Sequence, residues 1–198
     1  MEKQIDFFLS CASTYTYLAV MRAADIAAAS NVHLRWRPFN LRAIMTEQNN
    51  RPFLGKPVKT GYMWRDLQRC AARHDIAFAG IPKYPIESAL LTRVAVLAAS
   101  EGWCPAFAKA HYHAWFIQHR DPGDASVLAQ VLTGLGRDPT GVLQRADAQE
   151  NLDRCEFETQ TARDLGIFGS PNFVVGKEVF WGNDRLEHAL DWCRSAKE

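Results

Sequence analysis

The sequence predicts an α/β protein built on a four-stranded mixed sheet, with a block of helices inserted between the two halves of that sheet. Three observations carry this expectation. A strand, helix, strand pattern occupies residues 4–37; helical periodicity fills residues 60–164; and two short apolar runs around a glycine-containing turn precede a last helix.

Residues 4–10 are apolar and aromatic and run into the hydroxyl cluster Ser10, Ser13, Thr14 and Thr16, which reads as a buried strand entering a turn. Residues 17–29 are rich in Ala, Leu and Met. Leu18, Met21 and Ile26 form one stripe of a helix that the hydroxyls of residues 13–16 can cap. Residues 32–37 alternate apolar and polar side chains, as a strand with one exposed face does, and Pro38 ends it. A strand, helix, strand unit crosses over right-handed and leaves its two strands parallel.

Helices are expected at 62–73, 88–101, 105–119, 125–135 and 140–165, separated by Pro/Gly loops at 80–85, 120–123 and 138–141. No strand is needed in this stretch. Residues 172–175 and 179–181, joined by a turn at 176–178, read as a hairpin, and 184–194 as a closing helix in which Asp184 and Glu187 have the spacing of a capping box. The order β-α-β, helices, β-β-α is the thioredoxin arrangement interrupted by a helical insertion. A thioredoxin-like domain is expected at 1–58 with 165–198, and an inserted all-α domain at 59–164.

Apolar residues make up 47% and charged residues 23% of the 198, which excludes a disordered chain, collagen and a disulfide-rich miniprotein. A net charge of +1 supplies no field to draw in nucleic acid or an anionic membrane, so a small neutral or mildly anionic ligand is expected instead. Apolar runs such as 94–99 are far shorter than a bilayer span. Cysteines at 11, 70, 104, 155 and 193, odd in number and without a CxxC pair, point to free thiols in a reducing compartment. The N-terminal residues carry no apolar signal segment, so a cytoplasmic protein is expected.

Three turns could carry chemistry. The turn 10–17 lies between a strand's carboxyl end and a helix N-terminus, where unpaired N–H groups favour an anion such as a thiolate and a hydroxyl can donate to it. The turn Gly169-Ser170-Pro171 precedes a strand, where a cis proline would free the preceding backbone for an outside partner. The third, 181–186, offers amide and carboxylate side chains at a second helix start, suited to an α-amino acid group. Each also has a plainer reading: Ser13 as an N-cap, Pro171 as a trans proline opening a strand, and 181–186 as a helix cap. Cys11 reads as a small buried hydrophobe or as a redox thiol. His111, His113 and His119 do not share the helical face that metal ligands need. Tyr112, Trp115 and Phe116 read as helical core, and Trp36, Arg37, Tyr84 and Pro85 are candidates to line a cleft.

The segment Asp6-Phe7-Phe8-Leu9-Ser10-Cys11-Ala12-Ser13-Thr14-Tyr15-Thr16-Tyr17-Leu18-Ala19, the Gly169-Ser170-Pro171 turn and Trp181-Gly182-Asn183-Asp184-Arg185-Leu186 together resemble the 2-hydroxychromene-2-carboxylate isomerases and the related kappa-class glutathione transferases. The likeness runs nearly full length and implies a DsbA-like thioredoxin fold. The family's first motif usually reads Ser-Pro-Tyr/Phe-Ser-Tyr-Leu-Ala, which places Ser13 on the catalytic serine that replaces the nucleophilic cysteine of DsbA-type oxidoreductases. Here Thr14 stands where proline is usual and Thr16 replaces the second serine, departures that predict a looser turn.

The resemblance implies glutathione as cofactor, with Ser13 near its sulfur, Ser170 pairing its cysteinyl backbone before a cis Pro171, and Asn183 and Asp184 at its γ-glutamyl end. Residues 50–62 resemble the family's Asn/Lys loop, which brings Asn50 and Lys59 toward the ligand. The implied activity interconverts 2-hydroxychromene-2-carboxylate and trans-o-hydroxybenzylidenepyruvate, or a similar aromatic-catabolic substrate, by reversible thiolate addition. The alternatives are a kappa-type transferase or peroxidase and a glutathione-binding protein without turnover; a cysteine-based oxidoreductase has only Cys11 to draw on. A small aromatic carboxylate is the expected partner, with Arg37, Arg42 and Lys59 as candidates for its carboxylate. Neither nucleic acid nor membrane is expected, and the resemblance implies a homodimer.

Overall fold

The computed structural model describes residues 3–50, 53 and 55–195. Strand β1 (Gln4–Leu9) is central, parallel to β2 (His33–Pro38) and antiparallel to β3 (Asn172–Val175), which pairs in turn with β4 (Glu178–Trp181); the order is β2-β1-β3-β4. The expected mixed sheet and hairpin are present. Both faces of β1 are covered, which explains its continuous apolar run. Ile5, Phe7 and Leu9 join the main core with helices α1 (Thr14–Ala29), α3 (Pro57–Arg73), α4 (Ala89–Ser100) and α5 (Cys104–Phe116). Phe8 turns to the other face and packs with α2 (Leu41–Glu47) and with Ala162 of α8 (Gln149–Asp164). Phe7 stacks on Phe173 at 5.0 Å and meets the edge of Trp36 at 4.9 Å, joining three strands through one ring.

Several elements differ from expectation for local reasons. Helix α1 begins at Thr14 rather than at residue 17, because Ser13 has an extended backbone (φ −87°, ψ 128°) and its Oγ accepts from the Thr16 N–H at 3.4 Å. Helix α2 was not anticipated: its seven residues are too few to show a period, and its cap, Asn40 accepting from Ala43 N at 3.2 Å, is its clearest signal. The long helix expected at 140–165 is two, α7 (Pro139–Ala146) and α8. At the break, Asp147 pairs with Arg93 of α4 at 2.7 Å and Asn151 Nδ2 donates to the carbonyls of Ala146 (2.9 Å) and Arg93 (3.0 Å). Helix α6 (Ala125–Gly134) stands close to its expected place. The closing helix starts as a 3₁₀ turn (Asn183–Arg185) before α9 (Leu186–Ser195), and the expected capping box gives way to a longer-range contact in which the Glu187 carboxylate takes the guanidinium of Arg22.

Arg37 is not available to a substrate. It lies on the α8 face of the sheet with its guanidinium over Phe8 at 4.5 Å, held by Asp6 at 3.0 Å and Glu158 at 2.7 Å. Among the described residues, no helix is long and apolar enough to cross a membrane, and no group of His, Cys, Asp and Glu is arranged to hold a metal ion.

His111 of α5 is fully buried with neither ring nitrogen partnered, and burial pushes its pKa down to about 3. The folded protein therefore keeps a neutral imidazole, while the unfolded chain takes up a proton near the ordinary value of 6.5. The sign follows: stability is full above about pH 6.5 and falls as pH drops from there toward 3, by up to ~1.4 kcal/mol per pH unit from this group. His111→Phe is expected to flatten that acid limb in urea titrations run between pH 4 and 7; an unchanged slope would assign it to other groups.

Candidate active site

Strand β1 ends at Leu9, and the chain turns through residues 10–13 so that Ser13 opens α1 at the carboxyl end of the sheet, where ligands of open α/β sheets gather. The turn is tied from both sides. Ser13 N–H donates to Ser10 O at 3.0 Å, and Tyr112 of α5, fully buried, donates its hydroxyl toward Ser10 O at 3.2 Å and Ser13 O at 2.8 Å. Burial holds the Tyr112 phenol well above its ordinary pKa, so it remains a donor. The turn is thus pinned by a side chain of α5 as well as by its own backbone. Thr14 turns inward and directs its hydroxyl to Met63 Sδ of α3 at 3.3 Å, a contact that proline could not make.

Opposite this turn stands the loop before β3. The Ser170–Pro171 peptide is cis. Ser13 Oγ donates to Ser170 O at 3.0 Å, Ser10 N–H donates to Ser170 Oγ at 2.8 Å, and Thr16 Oγ1 lies 2.8 Å from the same Oγ. Gly169 has no room for a side chain: a Cβ there would sit 2.5 Å from the Trp181 indole nitrogen. Asn172 Nδ2 donates to Gly169 O at 2.7 Å. The third turn joins this loop through Gly182 N–H, which donates to Pro171 O at 2.9 Å. Gly182 has φ +121°, and a Cβ there would strike the Asp184 carboxylate at 2.4 Å, so glycine is required. Arg22 of α1 donates to Asn183 O at 2.8 Å while gripping Glu187, which sets the turn 182–185 against α1.

Helix α3 forms the neighbouring wall. Besides Met63, its Asp66 accepts from the Tyr15 hydroxyl at 2.9 Å, and burial together with Asp66 raises the Tyr15 pKa. Trp64 of α3 meets Tyr84 edge-on at 5.6 Å, and Tyr84 meets Phe53 at 6.2 Å. Two cations border this aromatic group: Lys59 lies 5.7 Å over the Phe53 ring, and Arg42 donates to Ile86 O at 3.3 Å.

Ser13, Ser170 and Pro171 are therefore in one place, and Asn183 and Asp184 follow through the Gly182–Pro171 bond. Asn183 is buried, whereas the Asp184 side chain is exposed and paired with Arg185 at 3.2 Å. Lys59 is exposed, one helical turn along α3 from Met63. Asn50 is exposed, its N–H bonded to Met45 O at 2.8 Å; Arg51, Pro52 and Leu54 of the same segment lie outside the described residues. Four residues that sequence reasoning did not single out for these contacts hold the site together: Ser10, Thr16, Asp66 and Tyr112. The hydroxyl-rich turn hinted at the first two; the others act across 51 and 99 positions of chain, with no local signal.

All five cysteines are free, and none replaces Ser13. Cys11 points into the core, where burial pushes its pKa up to about 12. Burial thus favours its neutral thiol form.

The family model of the DSBA-like thioredoxin domain matches residues 4–191. The chain belongs to that family. It is 27% identical to a 2-hydroxychromene-2-carboxylate isomerase of Sphingobium xenophagum across 94% of this chain and 96% of the relative. It is 24% identical to glutathione S-transferase kappa 1 of Caenorhabditis elegans across 95% and 89%. Among solved structures, a 2-hydroxychromene-2-carboxylate isomerase superposes with a TM-score of 0.83 at 24% identity, covering 93% of this chain and 91% of the other; the fold is the same. The cytosolic disulfide reductase DsbM of Pseudomonas aeruginosa, solved with GSH, superposes with a TM-score of 0.62 at 18% identity and 96% coverage of both chains. The likeness carried by the three motifs is thus met along the whole chain, together with the DsbA-like thioredoxin fold.

Two outcomes follow. In the native protein, alkylation at pH 8 read by mass spectrometry is expected to mark the partly exposed Cys70 first and to leave Cys11 and Cys104 unmodified until the chain unfolds. Thr14→Pro is expected to fold with a stability loss within about 1 kcal/mol by urea titration. Ser13 already has the extended backbone that a following proline demands, and the first helical N–H has no intrahelical acceptor to lose.

Proposed function

We propose that this protein is a glutathione-dependent isomerase that interconverts 2-hydroxychromene-2-carboxylate and trans-o-hydroxybenzylidenepyruvate, or a closely similar aromatic carboxylate. The observation that carries the proposal is the Ser13 hydroxyl, which occupies the N-cap of α1 within 3.0 Å of the Ser170 backbone, where a thiol-exchange enzyme needs a cysteine. The nearest thiol in sequence, Cys11, is locked in the core. A site that offers a donor and the positive end of a helix, but no sulfur of its own, suits a sulfur brought by the ligand. The relatives named as isomerases, 25–27% identical over more than nine-tenths of this chain, favour the same chemistry.

The donor set fits a γ-glutamyl tripeptide. Ser170 would offer its backbone beside Pro171 to the cysteinyl unit, the Asn183 side chain and the Asp184 carboxylate would serve the γ-glutamyl α-amino acid group, and Lys59 on α3 and Asn50 after α2 are exposed and open to the same ligand. Glutathione, when bound, would supply a thiolate capable of reversible addition to a conjugated double bond, chemistry in which it is neither oxidised nor consumed. Ser13 donates a hydrogen bond to the sulfur and is not itself a nucleophile. The first N–H groups of α1 stabilise the sulfur's charge. Trp64, Tyr84 and Phe53 cover the apolar part of the substrate and exclude water, and Arg42 and Lys59 hold its carboxylate.

A second reading, a kappa-type transferase, is favoured by the likeness to glutathione S-transferase kappa 1. The two separate by product analysis with 2-hydroxychromene-2-carboxylate: an isomerase returns glutathione quantitatively, whereas a transferase consumes one equivalent per product. Ser13→Ala is expected to lower turnover by about 10²–10³-fold while glutathione affinity changes less than about tenfold by calorimetry. Absence of glutathione uptake by the wild-type protein would falsify the proposal.

A further inference from the structure

Strand β2 is the longer of the two edge strands, and a groove of about 420 Å³ follows its free side between α4 and α8. That volume falls within the roughly 300–1,000 Å³ of small-molecule sites. In the ladder with β1, the N–H groups of His33 and Phe39 bond to Lys3 O and Leu9 O, so the odd-numbered residues turn their backbone inward. Trp36 therefore directs its N–H outward along the open edge, where it has no acceptor among the described residues.

The walls combine apolar surface with positive charge. Trp36 from the strand, Val96 and Ala99 from α4 and Phe157 from α8 supply the apolar part, and Phe157 is 65% exposed. Three guanidiniums line the groove, Arg35, Arg37 and Arg154, against one carboxylate, Glu158. Glu158 is taken by Arg37 at 2.7 Å, and Arg37 is held by Asp6 as well. The other two arginines stand half exposed, Arg35 at 52% and Arg154 at 44%, while Asp6 is recessed at 14%. Arg35 gives Nε and Nη2 to Asp6 and keeps Nη1. Arg154 pairs with the exposed Glu150 one turn back, and such a surface pair contributes little and is readily exchanged. The rim thus presents cations whose counter-charges lie behind them. A second copy of the chain is a poor occupant, because a two-fold contact here would set the same arginines against themselves, and Pro38 has no N–H to give a strand.

We infer that this groove is a binding site for a small planar aromatic carboxylate, separate from the Ser13 turn. The carboxylate is held by Arg35, Arg154 and the Trp36 N–H, and the ring lies between Phe157 and the α4 wall. Two in-plane acceptors match a guanidinium fork, and burial of the ring adds affinity that exposed ion pairs alone do not supply. The site stands whether or not glutathione binds at Ser13.

The test is photolabelling of the full-length protein with 4-azidobenzoate, with proteolysis and mass spectrometry to place the label. Label is expected on residues 96–100 and 154–161, and 2-naphthoate is expected to displace it at about a tenth of the concentration required of the neutral 2-naphthamide. The double substitution Arg35→Gln/Arg154→Gln is expected to lower this label about tenfold. Arg35 also holds Asp6, so should the pair fail to fold, Arg154→Gln alone repeats the comparison with a fall of about threefold. Label beside Trp64, Tyr84 and Phe53 reports the proposed substrate site separately and is expected to be unchanged by these substitutions. The inference is overturned if the groove takes no label, if native and substituted proteins label equally, if the loss is equal at both places, or if the amide competes as well as the acid. A dimer in sedimentation that Phe157→Ser splits would also overturn it, since a second copy would then cover the groove.

Discussion

The rest of the site depends on the hydrogen-bonded node at Ser170. One residue accepts from the end of β1 through its hydroxyl, meets the first turn of α1 through the same atom, and receives the Ser13 proton at its carbonyl. Those three contacts bring together segments separated by more than 150 residues of chain. Each partner is buried or half-buried, so the bonds are made away from bulk water, and leaving one unmade would cost more than its formation contributes. The node is therefore rigid.

Burial decides which groups are reactive. Cys11 and Cys104 are driven toward the thiol by desolvation, as Tyr112 is toward the phenol, so the core beneath the turn is electrically silent. Charge is handled elsewhere by pairing: Arg37 by Asp6 and Glu158, Arg22 by Glu187 and a backbone carbonyl. The cations that border the aromatic group of Trp64, Tyr84 and Phe53, Arg42 and Lys59, are both exposed. The positive end of α1 thus meets the Ser13 hydroxyl and the Ser170 backbone, above thiols and a phenol kept neutral by burial.

Much of the architecture was legible in the sequence because it follows from local rules. The period-two run at β2, the apolar run of β1 and the glycine turn of the hairpin each specify a strand, and the spacing of Leu18, Met21 and Ile26 specifies a helix. Misplaced boundaries have local causes too. Helix α2 is shorter than two full periods, and the stretch 139–164 keeps helical composition across a break that only Arg93 and Asn151, reaching between helices, impose. Motif likeness brought out Ser13, Ser170, Pro171, Asn183 and Asp184, because a turn between strand and helix, or before a strand, leaves a local mark.

Sequence by itself determined the fold class, the absence of a paired-cysteine motif, and the turns at which polar groups collect, since these depend on periodicity, composition and turn chemistry within a few residues. Only the tertiary structure decided that Arg37 is spent in an ion pair on the far side of the sheet, that Tyr112 and Thr16 fasten the turn before α1, and that the Ser13 proton rests on Ser170. These are contacts between distant segments. Their geometry is set by how two sheet faces and several helices pack at once, and no window of sequence contains that information.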